Sequence, residues 1–146
     1  MKDLKSLYET DYALWLDRTI ANLKERKLDS IDWENLIEEV ESLGKSDKRE
    51  LESRLTNLFE HLLKRKYVNL PECFRGWVNT ITREQQEISK IIKSSPSLAN
   101  YMNQNIEACW KDGLKRVTRE YYEIDFPTYN PFPIDPYRLL NDVLWE

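Results

Sequence analysis

The sequence predicts an all-α fold: a single antiparallel helical bundle of about five main helices, a proline-rich extended segment and a short docked C-terminal helix. Three observations predict it. Apolar residues recur at three- and four-residue spacing through nearly all of residues 12–121. Nothing in the chain alternates in the manner of a half-buried strand. Four of the six prolines fall between residues 124 and 136, where the helical pattern stops. At 146 residues a single helical domain is expected, with the bundle over 1–123 and the proline-rich segment and terminal helix over 124–146.

Each element has its own signals. Thr10 or Asp11 can cap a first helix carrying Tyr12, Trp15, Leu16, Ile20 and Leu23, which closes in Lys24-Glu25-Arg26-Lys27. Asp32 caps a second helix on Trp33, Leu36, Ile37, Val40 and Leu43, and Gly44 is expected to end it. Ser46 then caps a third on Leu51, Leu55, Leu58, Phe59, Leu62 and Leu63. Residues 28–44 hold six acids and no Lys or Arg; residues 45–67 hold seven Lys or Arg, four acids and the chain's one His. Two helices on so short a link pack antiparallel, so those opposite charges are expected to face each other. Pro71 breaks the chain. A fourth helix follows from about Cys73 to Lys93 on Phe74, Trp77, Val78, Ile81, Ile88, Ile91 and Ile92. Ser95-Pro96 reads as an N-cap and first-turn proline. The fifth helix carries Met102, Ile106, Cys109, Trp110, Leu114, Val117 and Tyr121. Phe126-Pro127 and Asn130-Pro131-Phe132-Pro133 are too apolar for a loose linker and should lie extended across the bundle. Asp135-Pro136 starts the last helix, on Tyr137, Leu140, Val143 and Leu144. The core is expected to centre on Trp15, Leu36, Val40, Leu55, Leu58, Leu62, Trp77, Ile81, Ile88, Ile106, Trp110 and Leu114.

Composition narrows the function classes. Three glycines argue against Gly-rich phosphate loops and against Rossmann or P-loop chemistry. A net charge of -4 with both signs interspersed is wrong for nonspecific attraction to phosphate backbones, although a local basic strip such as Lys64-Arg65-Lys66 remains compatible with one. That run reads first as a solvated helix end. No apolar run reaches the roughly 18 residues of a membrane span. Cys73 and Cys109 lack metal-type spacing and read as reduced, partly buried thiols, which places the protein in the cytoplasm.

Polar residues beside the apolar stripes form one candidate cluster. Arg54, His61 and Arg65 fall in a column on the third helix, and Glu34, Glu38 and Glu41 in another on the second. Asp32 and Glu39 flank the other edge. Glu84 falls inside the stripe of helix four, between Ile81 and Ile88, with Gln85 beside it. A carboxylate there must be paired or neutralised, and Arg54, His61 and Arg65 are its natural partners. Such a cluster, comprising Glu38, Glu41, Arg54, His61, Arg65, Glu84 and Gln85, is either a buried network fixing helix register or a ligand or catalytic site. A di-iron or zinc centre is not expected, since no Glu-x-x-His occurs and there is one histidine. Ser-His-Asp catalysis lacks a nucleophile elbow. No cofactor is implied.

These residues resemble a bacterial family catalogued as a domain of unknown function, number twenty-nine in its series. The resemblance rests on Asp11-Tyr12 with Trp15-Leu16, the run from Glu34 to Ser46, Leu51 to Leu55, and His61 to Lys64. It continues through Trp77 to Ile81, Glu84-Gln85 and Ser95 to Leu98. It covers nearly the whole chain, and the part after about residue 125 is less constrained by it. It implies an all-helical fold, its pattern includes Glu38, Glu39, Glu41, His61 and Glu84-Gln85, and it carries no activity. The expected function is therefore a noncatalytic protein-interaction or regulatory module, antitoxin-like, whose partner is another protein chain or a second copy. The alternative is an RNA-directed protein or nuclease setting Arg54, His61 and Arg65 against phosphate, with Glu84 or Glu38 as acid or base. No membrane partner is expected.

Overall fold

The computed structural model describes residues 3–146: among them are six α-helices and one 3₁₀ turn, with no strand. They gather into two units, one reaching to Ser46 and one from Asp47 to the C-terminus.

In the first unit, α1 (Leu4–Thr10) and α2 (Tyr12–Lys24) share a boundary residue. Asp11 ends α1 and caps α2, its carboxylate accepting from the Leu14 N–H at 3.1 Å. The cap is where the sequence places it; α1 is an addition, nucleated by Asp3, which accepts from the Ser6 N–H at 2.8 Å. The end of α2 turns through Arg26 at φ 60°, the left-handed conformation. Arg26 N–H bonds to the Leu23 carbonyl at 3.2 Å and Lys27 N–H to that of Asn22 at 2.9 Å, so a Schellman motif closes on an arginine where glycine is usual. A 3₁₀ turn, Leu28–Ser30, leads into α3. The core here is small, formed by Leu7, Trp15 and Ile31, with the Tyr8 and Trp15 rings 4.9 Å apart.

The largest departure from expectation is α3, which runs unbroken from Trp33 to Tyr67. Gly44 does not end a helix and Ser46 does not cap one. A glycine stops a helix by taking up positive φ, and no glycine here does so. Gly44 stays helical because the good helix formers Lys45, Lys48, Arg49 and Glu50 follow it, which helps offset roughly 1 kcal/mol of glycine cost. The acidic and basic stretches therefore succeed one another along one helix rather than facing each other across two. The expected core changes too: Leu36 is only half-buried and Val40 is exposed, and in the second unit Leu114 is half-buried.

In the second unit, the later half of α3 packs with α4 (Pro71–Ser94) and α5 (Leu98–Glu120). Arg65 meets Phe74 near the connecting turn, while Arg54 meets Glu84 two turns and more away, so α3 and α4 run antiparallel. Pairs between Tyr101 and Glu52 and between Glu120 and Lys64 make α5 parallel to α3. Pro71 opens α4 as its first residue, where its missing N–H costs nothing. Ser95 and Pro96 do not open α5: Ser95 ends α4, and the Leu98 and Ala99 amides bond to the Ser95 and Pro96 carbonyls in an intervening turn. Leu55, Leu58, Phe59, Leu62, Ile81, Ile88, Ile106 and Val117 are buried at the centre. Gly113 lets α5 approach the backbone of α3: a β-carbon there would lie 3.0 Å from the Glu60 nitrogen and 3.1 Å from the Thr56 oxygen. Phe126 and Phe132 of the proline-rich segment are buried against this core. Asp135 caps α6 (Pro136–Asn141), accepting from the Arg138 N–H at 3.3 Å, and α6 docks through buried Leu139.

Candidate functional site

Glu84 is the polar residue the helical pattern places most sharply, and it is 3% exposed. Its carboxylate accepts from Arg54 at 3.2 Å and, at longer range, from Arg83 at 3.5 Å. Arg54 also holds Glu50 at 3.0 Å, one helical turn back. That bond to Glu50, with the charge of Glu84, keeps the guanidinium above its ordinary pKa despite partial burial. Around this chain of charges Glu50, Ser53, Arg54, Asn57, Glu84 and Arg116 line a cleft of about 410 Å³ between α3, α4 and α5. Of the expected cluster, Arg54 and Glu84 are thus brought together.

The other members point elsewhere. His61 donates from Nδ1 to the Asn57 carbonyl at 2.9 Å and does not bond to Glu84. Burial holds its pKa below the usual 6.5. Arg65 stacks on Phe74, its guanidinium 4.0 Å from the ring centre. Gln85 is buried and donates to the Leu139 and Asp142 carbonyls at 2.9 and 3.1 Å, so it fastens α6. Glu38 and Glu41 belong to the first unit and are exposed, with no cation partner among the described residues. The reason for this dispersal is the continuous α3: Glu38 and Glu41 are successive turns of the helix that carries Arg54, not a facing column. Lys64 corrects the solvated reading of the basic run. It is buried, with its ammonium 2.8 Å from Glu120.

A polar centre the sequence did not reveal sits in the first unit. Tyr8 and Tyr12 both donate to Glu39, Tyr12 at 2.7 Å. These bonds lower the Glu39 pKa, and the bond to Glu39 pushes the Tyr8 phenol up to about 12. Beside them buried Asp32 accepts from Trp15 Nε1 at 3.2 Å and Asn35 Nδ2 at 2.6 Å. Asp32 does not cap α3 through its side chain as expected: Oδ2 takes both of these bonds and Oδ1 is buried without a partner, while the Asp32 backbone carbonyl accepts from the Leu36 N–H at 3.0 Å. The available signal was the four-residue spacing of Tyr8 and Tyr12, but it becomes meaningful only once α1 is known to fold onto α3. Among the described residues no group of three or more His, Cys, Asp or Glu could hold a metal. Cys73 and Cys109 are free, and burial raises the Cys109 pKa. No helix is long and apolar enough to cross a membrane among those residues.

The family model for the domain of unknown function DUF29 matches residues 7–144. The chain belongs to the DUF29 family. No curated protein matches it, and no solved structure does. Membership in DUF29 agrees with the all-helical fold, extends through the proline-rich segment and α6, and brings no catalytic residue to assign.

Proposed function

We propose that this DUF29 chain is a noncatalytic, cytoplasmic protein-interaction module, regulatory in an antitoxin-like manner, which docks another protein chain on the first half of α3. The observation that carries this reading is the exposure of residues that belong in a core. Trp33, Ile37, Val40 and Leu43 are 47%, 53%, 60% and 69% exposed. Single exposed apolar residues are ordinary; four at helical spacing on one short stretch form a contiguous patch of the kind interfaces use. The Arg54–Glu84 pair supports the reading indirectly, because Glu50, Arg54 and Glu84 are spent on one another as a register-fixing network would spend them.

A photo-crosslinking amino acid at Val40 tests it, with the same group at exposed Gln86 as control. In lysate of the source cell, an adduct to a defined protein is expected at position 40 and absent at 86. Repeated failure to form any adduct at 40 would retire the reading. The RNA-directed alternative draws on Arg116, which lines the cleft without a carboxylate partner among the described residues. It requires an electrophoretic shift with total RNA that weakens as salt rises and is lost in Arg116→Ala.

A further inference from the structure

The exposed face has a chemistry specific enough to name its occupant. At about 100° per residue, Trp33, Ile37, Val40 and Gly44 fall within roughly 60° of arc on α3. Glu34, Glu41 and Glu38 follow along one edge of that arc, and Leu36 and Leu43 along the other. Glu34 has only a long, exposed pair with Lys5 at 3.7 Å, and Glu38 and Glu41 have no cation among the described residues. Residues 1–46 contain eleven acids and seven bases, whereas residues 47–146 contain fifteen of each, so the whole net charge of -4 belongs to the first 46 residues. A docking surface with an apolar floor and a rim of three acids, on which Lys45 is the one base, favours a cationic partner.

Two details point to a helix as the form of that partner. Trp33 donates its indole N–H to the Leu28 carbonyl at 3.1 Å, so the ring is held in place and what it offers outward is apolar. Fixed aromatic rings of this kind make interface anchors at low entropic cost. Gly44 sits on the same stripe with nothing within 4 Å of where its β-carbon would be, and its backbone has no need of glycine. Internal packing does not account for it. The close approach of an incoming backbone does, since a glycine on a helix face allows a second helix to cross at short range.

We propose that this face binds a basic amphipathic helix of another protein, with leucine-type anchors against Trp33, Ile37 and Val40, Lys or Arg against Glu34, Glu38 and Glu41, and its backbone crossing at Gly44. The proposal rests on the interaction-module reading. A second copy is the poorer occupant because it would bring the same acidic rim to the interface.

The test uses the full chain and fluorescein-labelled model peptides of about eighteen residues, long enough for a helix: one of Leu and Lys in helical register, one of Leu and Glu, and a scrambled Leu/Lys control. Anisotropy is expected to show the Leu/Lys helix binding at least about tenfold tighter than both others. Val40→Glu should weaken it about tenfold or more, Glu38→Lys with Glu41→Lys should remove the preference for Lys over Glu, and Gly44→Ala should weaken binding while the protein stays folded by circular dichroism. Equal binding of the peptides, or affinity indifferent to Val40 and Gly44, overturns the proposal. So does a dimer in light scattering that Val40→Glu dissociates, which assigns the face to a second copy. If the Val40 crosslink captures a protein whose contacting segment is acidic or non-helical, this proposal falls and the interaction reading stands. If no adduct forms at all, both fall.

Discussion

Replacing Gly44 by alanine is expected to stabilise the protein, and the sign tests the continuity of α3. The glycine is helical and its missing β-carbon would enter open space. With no clash, what remains is the propensity difference of about 0.8–1 kcal/mol in a helix interior, part of it acting through the unfolded chain. Gly76 in α4 is equally open and should gain a similar amount. Gly113 supplies the contrast. An alanine β-carbon there meets the Glu60 nitrogen at 3.0 Å, the Thr56 oxygen at 3.1 Å and the Phe59 β-carbon at 3.1 Å, and two of those atoms are backbone that cannot swing aside. Overpacking of this kind costs about 1–3 kcal/mol, so after the propensity gain Gly113→Ala should lose roughly 1 kcal/mol. Urea denaturation followed by far-ultraviolet circular dichroism ranks the three. A loss of about 1 kcal/mol in Gly44→Ala, as alanine suffers when forced into a left-handed cap, would mean that the helix ends at Gly44. A Gly113→Ala protein as stable as Gly76→Ala would mean that α5 does not approach α3 as described.

Leu58 is fully buried between α3 and its neighbours, and Leu58→Ala should cost about 2–5 kcal/mol in the same melts; below about 0.5 kcal/mol the assigned core face of α3 is wrong. Glu84→Gln keeps shape but leaves Arg54 short of a charge partner, so a loss of about 1–4 kcal/mol is expected, and a variant as stable as the parent would show that the Arg54–Glu84 pair does not hold the helices in register. His61 is depressed by burial, so on acidification the unfolded chain takes up its proton first. Stability from this group is complete above about 6.5 and declines as pH falls from there toward the lower folded value. His61→Gln should flatten melts collected just below about pH 6.5, leaving the steeper loss at lower pH to carboxylates such as Glu39, whose folded pKa is also lowered; a slope unchanged by the substitution contradicts the burial assigned to His61.

What could be read from the chain depended on whether one residue's chemistry sufficed. Asp11 and Asp135-Pro136 act as caps because capping is a local bond between a side chain and an amide three residues on. Glu84 was legible because a carboxylate inside an apolar stripe must find a cation whatever surrounds it, and Arg54 is within reach. Gly44 reads as a stop in the sequence, yet glycine ends a helix only through a backbone angle that composition does not carry. A helix divided there would set the acids of residues 34–41 against Arg54, His61 and Arg65; the continuous α3 does not. Periodicity marked Trp33, Ile37 and Val40 as one face of a helix but cannot say whether anything in the same chain covers that face. Tyr8, Tyr12 and Glu39 escaped notice for the opposite reason, since their union depends on how α1 returns to α3.

The fastening of α6 by Gln85 sets an order of events during synthesis. Six residues are too few for a helix to persist alone in water, so α6 exists only on a surface already built by α4 and α5. That surface is itself unfinished without it, because Leu139, Phe126 and Phe132 lie in the same core as Ile81 and Ile88. Gln85 must wait until residue 142 has been added before both of its carbonyl partners exist. At ordinary elongation of about 5–20 residues per second, adding the stretch from Glu120 to Asp142 takes about 1–4 s, and until then the core is open on one side. The unit is thus closed by its last segment, and a chain cut short before Phe126 leaves bare the apolar interior that Phe126, Phe132 and Leu139 cover.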